Sequence, residues 1–143
     1  MHTVRHILQI KGTDVWSISP DATVYEALRI MADKNIGALL VMEGNRMAGI
    51  LSERDYARKI ILADRASNTT RVSEIMTALV CTVHPDQTVH EVMELMTNKR
   101  IRHIPVLDND QVMGMISIGD VVKDIMYEQR KTIRTLSERI TGK

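Results

Sequence analysis

Two apolar rhythms alternate along the chain. Val24, Ala27, Leu28 and Met31 recur at helical spacing and predict one buried helix face. The unbroken run Ala38-Leu39-Leu40-Val41-Met42 predicts a buried strand, Glu43-Gly44-Asn45 a turn, and Arg46 to Leu51 the return strand of a hairpin. Ahead of the helix, Val15-Trp16-Ser17-Ile18 predicts a short strand that Pro20-Asp21 breaks, and Thr23-Val24-Tyr25-Glu26 has the form of a capping box. From Ser52 a second helix is expected through Tyr56 and Ile60. Residues 3 to 10 form a short amphipathic helix that Lys11-Gly12 ends.

The same pattern then returns without a gap at an offset of 65, the distance from Pro20 to Pro85. Thr23-Val24 falls on Thr88-Val89, Met31 on Met96, Ile36 on Ile101, Val41 on Val106, Gly49 on Gly114, Ser52 on Ser117 and Asp55 on Asp120. A unit of about 60 residues hides only about 60% of its unfolded surface, so two such units are expected to share an interface. The expected division is an N-terminal helix over 1–12, a first unit over 13–64, a connector over 65–76, a second unit over 77–127 and a helical extension over 128–143. Arg65-Ala66-Ser67-Asn68-Thr69-Thr70 is polar and expected to be mobile, with Val72-Ser73-Glu74-Ile75-Met76 a helical lead-in to the second unit. In the last helix Val122, Met126, Gln129, Ile133, Leu136 and Ile140 make a narrow, mostly apolar seam, the spacing of a helix that meets another helix, here expected from a second copy of the chain.

The stretch that stands out is Gly49-Ile50-Leu51-Ser52-Glu53-Arg54-Asp55, repeated as Gly114-Met115-Ile116-Ser117-Ile118-Gly119-Asp120. A strand running into a helix N-terminus leaves backbone N–H groups and a partial positive charge that suit phosphate. An aspartate one turn in can accept both hydroxyls of a ribose. Ser-x-x-Asp is equally an ordinary capping box that serves only its own helix.

Composition narrows the partners. The 143 residues are 44% hydrophobic, enough for a real core, and the net charge of +1 gives no basic stripe that would call for nucleic acid or an anionic membrane. No apolar run approaches the roughly 20 residues of a membrane span. Aromatics are 3% with no phenylalanine, so a flat ligand would lie between aliphatic side chains. The single cysteine, Cys81, cannot form an intrachain disulfide and fits a reducing cytoplasm. The methionines, Met31, Met93 and Met96 among them, read as core filler. The five histidines, His2, His6, His84, His90 and His103, are read as lacking metal spacing, and no nucleophile–base set or Walker loop is present.

Two tandem β-α-β-β-α units, each opening Pro-Asp-x-Thr-Val-x-Glu and closing Gly-h-h-Ser-x-x-Asp, with Arg102-His103-Ile104-Pro105-Val106 in the second, resemble the cystathionine β-synthase (CBS) domain over roughly residues 13 to 127. The resemblance implies an α/β (α+β) fold, a Bateman module in which the two units pack through their sheets with pseudo-two-fold symmetry. It implies adenine nucleotides such as AMP, ATP or NAD as ligands in two composite clefts. Asp55 and Asp120 would each take a ribose diol, and Ser52 and Ser117 would sit at phosphate. Val15, Val80, Ile50 and Met115 would line the adenine. Ile36 and Gly37 would face the Asp120 site, and Ile101 and Arg102 the Asp55 site. The copies differ, with Arg54 against Gly119 and Arg102-His103 against Gly37-Ala38. One cleft would then combine Arg54 and Arg102, the other His103 and Lys11, making two unequal sites. The expected function is a non-catalytic sensor that responds to adenine nucleotides, forms a homodimer and signals to an unknown downstream protein. The alternative is an interaction scaffold that works through its last helix without a ligand.

Overall fold

The computed structural model describes residues 2–141 of the chain. In chain order the elements are α1 (Val4–Lys11), β1 (Ser17–Ile18), α2 (Val24–Lys34), β2 (Ala38–Glu43), β3 (Arg46–Ser52), α3 (Glu53–Tyr56), α4 (Val72–Ile75), α5 (Val89–Lys99), β4 (His103–Asp108), β5 (Gln111–Ser117) and α6 (Ile118–Thr141). The helix begun by α3 widens into a π-helical turn over Ala57–Ile61 that ends by burying Ile60.

The repeat holds down to the backbone. Thr23 and Thr88 are extended N-caps whose side chains accept the N–H of Glu26 and Glu91. Asn35 and Arg100 end those helices in the left-handed region, at φ 54° and 55°. The hairpins share one register: Ala38 faces Ser52 as His103 faces Ser117, and Val41 faces Gly49 as Val106 faces Gly114, with a bulge one residue later in each. The strand expected from Val15 shortens to Ser17–Ile18, which pairs parallel with Leu40 and Val41. Its counterpart is reduced to one parallel bridge, Val83 to Val106.

The units do not follow the chain in sequence blocks. Asp14–Cys81 forms one compact unit, and Thr82 onward forms the other together with the chain up to Thr13. In this second unit Val4, Ile7 and Leu8 of α1 join the core of Val89, Val92, Ile104, Val106, Ile116 and Val121. The first unit closes around Leu39, Val41, Leu51, Val24, Ala27 and Met31, with Val72 and Ile75 of α4 buried among them. Thus the segment expected to lead into the second unit completes the first, and α1 completes the second. Each fully buried aliphatic side chain contributes about 1.5–3 kcal/mol, which fastens α1 and α4 where they are.

The polar connector is also hydrogen-bonded to α2. The first N–H groups of α2, on Val24 and Tyr25, donate to Thr70 O and Ser67 O (both 2.9 Å), and Thr70 is buried with its hydroxyl donating to Ala66 O at 2.7 Å. The connector thus satisfies amides that a helix start leaves without partners.

The motif glycines have a packing cause. A Cβ on Gly49 would lie 2.7 Å from Thr77 O and 2.9 Å from Met76 Sδ, and one on Gly114 would lie 2.6 Å from Leu8 Cδ2. Met76 and Leu8 follow α4 and lie within α1, respectively, so the missing Cβ admits the returning segment in both units. Gly49→Ala should destabilise the protein by about 2 kcal/mol, because a backbone carbonyl cannot step aside. Gly114→Ala should cost less, since it meets the end of a leucine side chain, and Gly119→Ala, whose Cβ would meet only Ser117 Oγ at 3.6 Å, should be near neutral. Urea unfolding of the three variants checks this order, and equal midpoints for Gly49→Ala and Gly119→Ala would refute it.

Candidate functional site

Each repeat ends in a strand whose last residue caps the next helix. Ser52 has extended backbone (φ −118°, ψ 164°), which brings its side chain over the first turn of α3. Ser52 Oγ accepts the Asp55 N–H at 3.3 Å, while Asp55 Oδ2 accepts the Ser52 N–H at 2.9 Å and the Ser52 hydroxyl at 3.1 Å. The second copy repeats this: Ser117 Oγ accepts the Asp120 N–H at 3.2 Å, and Asp120 Oδ2 accepts the Ser117 N–H at 2.9 Å. The capping box is therefore formed twice, and one oxygen of each aspartate serves its own helix.

The next backbone donor is committed as well. Glu53 N–H donates to Gly37 O at 3.0 Å and Ile118 N–H to Arg102 O at 2.8 Å. Gly37 and Arg102 are thereby held at the helix start of their own unit. Ile36 and Ile101 before them are half-buried, with their N–H groups on Met31 O (3.0 Å) and Met96 O (3.1 Å). Two of the amides expected to be open to phosphate at each helix start are thus already engaged.

The remaining carboxylate oxygens differ between the copies. Asp55 Oδ1 accepts the Thr77 hydroxyl at 3.3 Å and lies 3.3 Å from Lys59 Nζ, which also donates to Ile75 O at 2.9 Å. Asp120 Oδ1 accepts no hydrogen bond among the described residues. Its cation, Lys11, binds Oδ2 at 2.7 Å and Met115 O at 2.8 Å. The reason is visible at the repeat offset: the position of Lys59 is occupied by Asp124, so α6 has no lysine four residues after Asp120, and Lys11 of α1 supplies the cation. Burial pushes the Asp120 pKa up, but the Lys11 hydrogen bond, the Ser117 N–H and the Lys11 charge outweigh it. The carboxyl ends below its ordinary 3.8.

The other expected residues lie around these two points. Ile50 exchanges backbone hydrogen bonds with Thr77 (3.0 and 2.8 Å), which pins the segment after α4 beside the motif. Met115 presents its carbonyl to Lys11. His103 opens β4 opposite Ser117, and Arg54 is exposed on the first turn of α3. Val15 and Val80 are half-buried near the start and end of the first unit. Lys59 and Thr77 were not anticipated at the site. Lys59 was legible as the residue one turn after Asp55, whereas Thr77 arrives only because α4 folds back. A cleft of about 580 Å³ in the first unit lies apart from these residues, lined by Tyr25, Tyr56, Ile60, Ile61, Arg65, Ala66, Ser67 and Asn68. The histidines depart from the sequence expectation: His2 and His6 come together with Asp124.

Residues 4–62 and 72–127 match the CBS domain, and the chain belongs to that family. It is 41% identical over 150 residues to the mitochondrial CBS domain-containing protein CBSX3 of Arabidopsis thaliana, covering 98% of this chain and 72% of that protein. A CBS-domain protein of Burkholderia ambifaria, assigned provisionally to signal transduction, has a solved structure at TM-score 0.86 and 50% identity, covering 89% of this chain and 96% of that one. The CBS-domain pair of protein MJ0100, solved with 5′-methylthioadenosine and S-adenosyl-L-methionine, matches at TM-score 0.77 and 26% identity, covering 90% and 98%. A CBS-domain pair of this kind is a non-catalytic regulatory module. No helix among the described residues is long and apolar enough to cross a membrane.

The lowered Asp120 pKa carries a sign. The ionised carboxylate adds stability above its unfolded value of 3.8, and that stability is lost as pH falls through the lower folded value. Lys11→Met should therefore cost about 0.5–1 kcal/mol near neutral pH, the range of a partly exposed pair. The gap from wild type should close as pH drops below 3.8. Urea unfolding across pH tests it, and a gap that persists in acid would assign the loss to packing.

Proposed function

We propose that the chain is an adenine-nucleotide-responsive regulatory module, with one ligand position at the Ser52–Asp55 helix start and one at Ser117–Asp120. The observation that carries this reading is the duplicated capping box. It fixes each carboxylate by one oxygen and leaves the other outside the box, Oδ1 in both cases. A fixed carboxylate with an outward oxygen suits a ribose hydroxyl, since charge-assisted bonds are stronger than neutral ones. The adenosyl compounds bound by the MJ0100 pair support the same ligand class.

In this reading Ile50 and Met115, with Val15 and Val80, give the apolar surface for the base, and AMP, ATP or NAD carry the ribose and phosphate. The positions are unequal. Asp55 has Arg54 beside it in sequence and Lys59 and Thr77 on its outer oxygen, which must turn aside for a hydroxyl. Asp120 keeps that oxygen open and holds Lys11. Arg54, Arg102, His103 and Lys11 are the cations assigned to phosphate in this reading. The module works in a reducing cytoplasm, pairs with a second copy through α6 and passes the ligand state to a downstream protein. The scaffold alternative draws on the seam of α6, where Met126, Ile133 and Leu136 are 45%, 66% and 51% exposed.

A thermal-shift panel of AMP, ATP, NAD and S-adenosyl-L-methionine tests the proposal. A ligand at a hundred times its dissociation constant should add about 2.7 kcal/mol of stability. Asp55→Ala and Asp120→Ala should each remove one binding event in calorimetry, while their ligand-free cost stays near the roughly 1 kcal/mol of a lost cap. No shift with any of the four compounds would overturn the reading in favour of the scaffold.

A further inference from the structure

We propose that His2, His6 and Asp124 form a binding site for a divalent transition-metal ion. His2 lies just before the N-cap of α1 and His6 one turn later, so the two rings share a face. They stack with centroids 3.8 Å apart and 29° between planes. Facing them, α6 presents Asp124. His2 Nδ1 is 2.8 Å from Asp124 Oδ1 and His6 Nε2 is 3.9 Å from the same oxygen. One ligand atom from each of the three residues lies within 4.8 Å of the others. With bonds of about 2.0–2.1 Å, the ligands of a tetrahedral zinc ion stand about 3.3–3.4 Å apart. The two separations to Asp124 Oδ1 bracket that edge and all three lie within 4.8 Å, so small side-chain rotations would close the shell.

A second observation points the same way. Asp124 is 8% exposed, and its Oδ2 is fully buried without a hydrogen-bond partner among the described residues. A buried carboxylate oxygen left so costs free energy that native structures avoid. The surrounding charge does not remove that cost. Asp120, Asp124 and Glu128 follow one another at one-turn spacing on α6, where like charges repel. Lys11 of α1 answers Asp120, Arg5 of α1 is drawn to Asp86 at 3.0 Å, and the ion-pair partners of Asp124 and Glu128 among the described residues are the histidines alone. An ion on Asp124 would bring two positive charges to this acidic face. Glu128 Oε1, 3.3 Å from His2 Nδ1 and accepting the His2 N–H at 3.1 Å, orients His2 and borders the open fourth position.

Two imidazoles with a carboxylate select zinc, cobalt or nickel over magnesium or calcium, which prefer all-oxygen shells. The ion would bridge the start of α1 to α6, the contact that completes the second unit. The sequence signal is a pair of one-turn spacings, His2-x-x-x-His6 and Asp124-x-x-x-Glu128, on elements more than 100 residues apart.

The test uses the full chain without a histidine tag, stripped with chelator and then titrated with Zn²⁺ and with Co²⁺. One Zn²⁺ should bind per chain and raise the melting temperature, Co²⁺ should develop visible d–d absorption, and Mg²⁺ should do neither. His6→Gln and the near-isosteric Asp124→Asn should each weaken Zn²⁺ binding at least tenfold; His6 is half-exposed, so its variant should keep the fold by circular dichroism. Absence of Zn²⁺ binding, or binding retained in His6→Gln, would overturn the site. The readout uses no nucleotide and stands apart from the ligand proposal above.

Discussion

In each unit a neighbouring segment rests on the last strand at a position that must lack a side chain. At Gly49 the neighbours are Thr77 O and Met76, and at Gly114 the neighbour is Leu8. Much of the site's geometry follows from that contact. With Met76 seated, Thr77 pairs with Ile50 and its hydroxyl reaches Asp55. With Leu8 seated, Lys11 reaches Met115 O and Asp120. A packing constraint on one face of a strand thus decides which groups surround a carboxylate several residues further on.

The repeat, the hairpins, the caps and both Ser-x-x-Asp boxes could be read directly from the residues, because each is a local pattern at short range. The role of the glycines and the neighbours Thr77 and Lys11 could not, because they depend on segments that return from far along the chain. The same holds for Val72 and Ile75, whose apolar spacing marks a helix without saying which core receives it. The capping role of the connector is hidden for a related reason. Its residues are polar, but its carbonyls cap α2, and composition does not record where a backbone carbonyl points. His2 and His6 show the limit from the other side: their spacing was there to be read, but Asp124 is joined to them only by the tertiary fold.

The two copies share a frame and diverge in charge. At one equivalent position the first carries Lys59, which supports Asp55, and the second carries Asp124, which turns to the histidines. That replacement moves the supporting cation for Asp120 off its own helix and onto α1. One exchange of sign therefore gives the second unit a dependence on the N-terminal helix that the first unit lacks, and makes the two aspartates different electrostatic environments on the same backbone.

The crossed assignment of α1 and α4 has a consequence for how the protein is made. α1 is synthesised well before the elements that bury Val4, Ile7 and Leu8, which extend to Val121. At roughly 5–20 residues per second, translation leaves those apolar side chains waiting for about 5 to 20 seconds while the intervening unit, complete by Cys81, can already have closed. Synthesis can thus finish the first unit while the second still waits to join segments made before and after it.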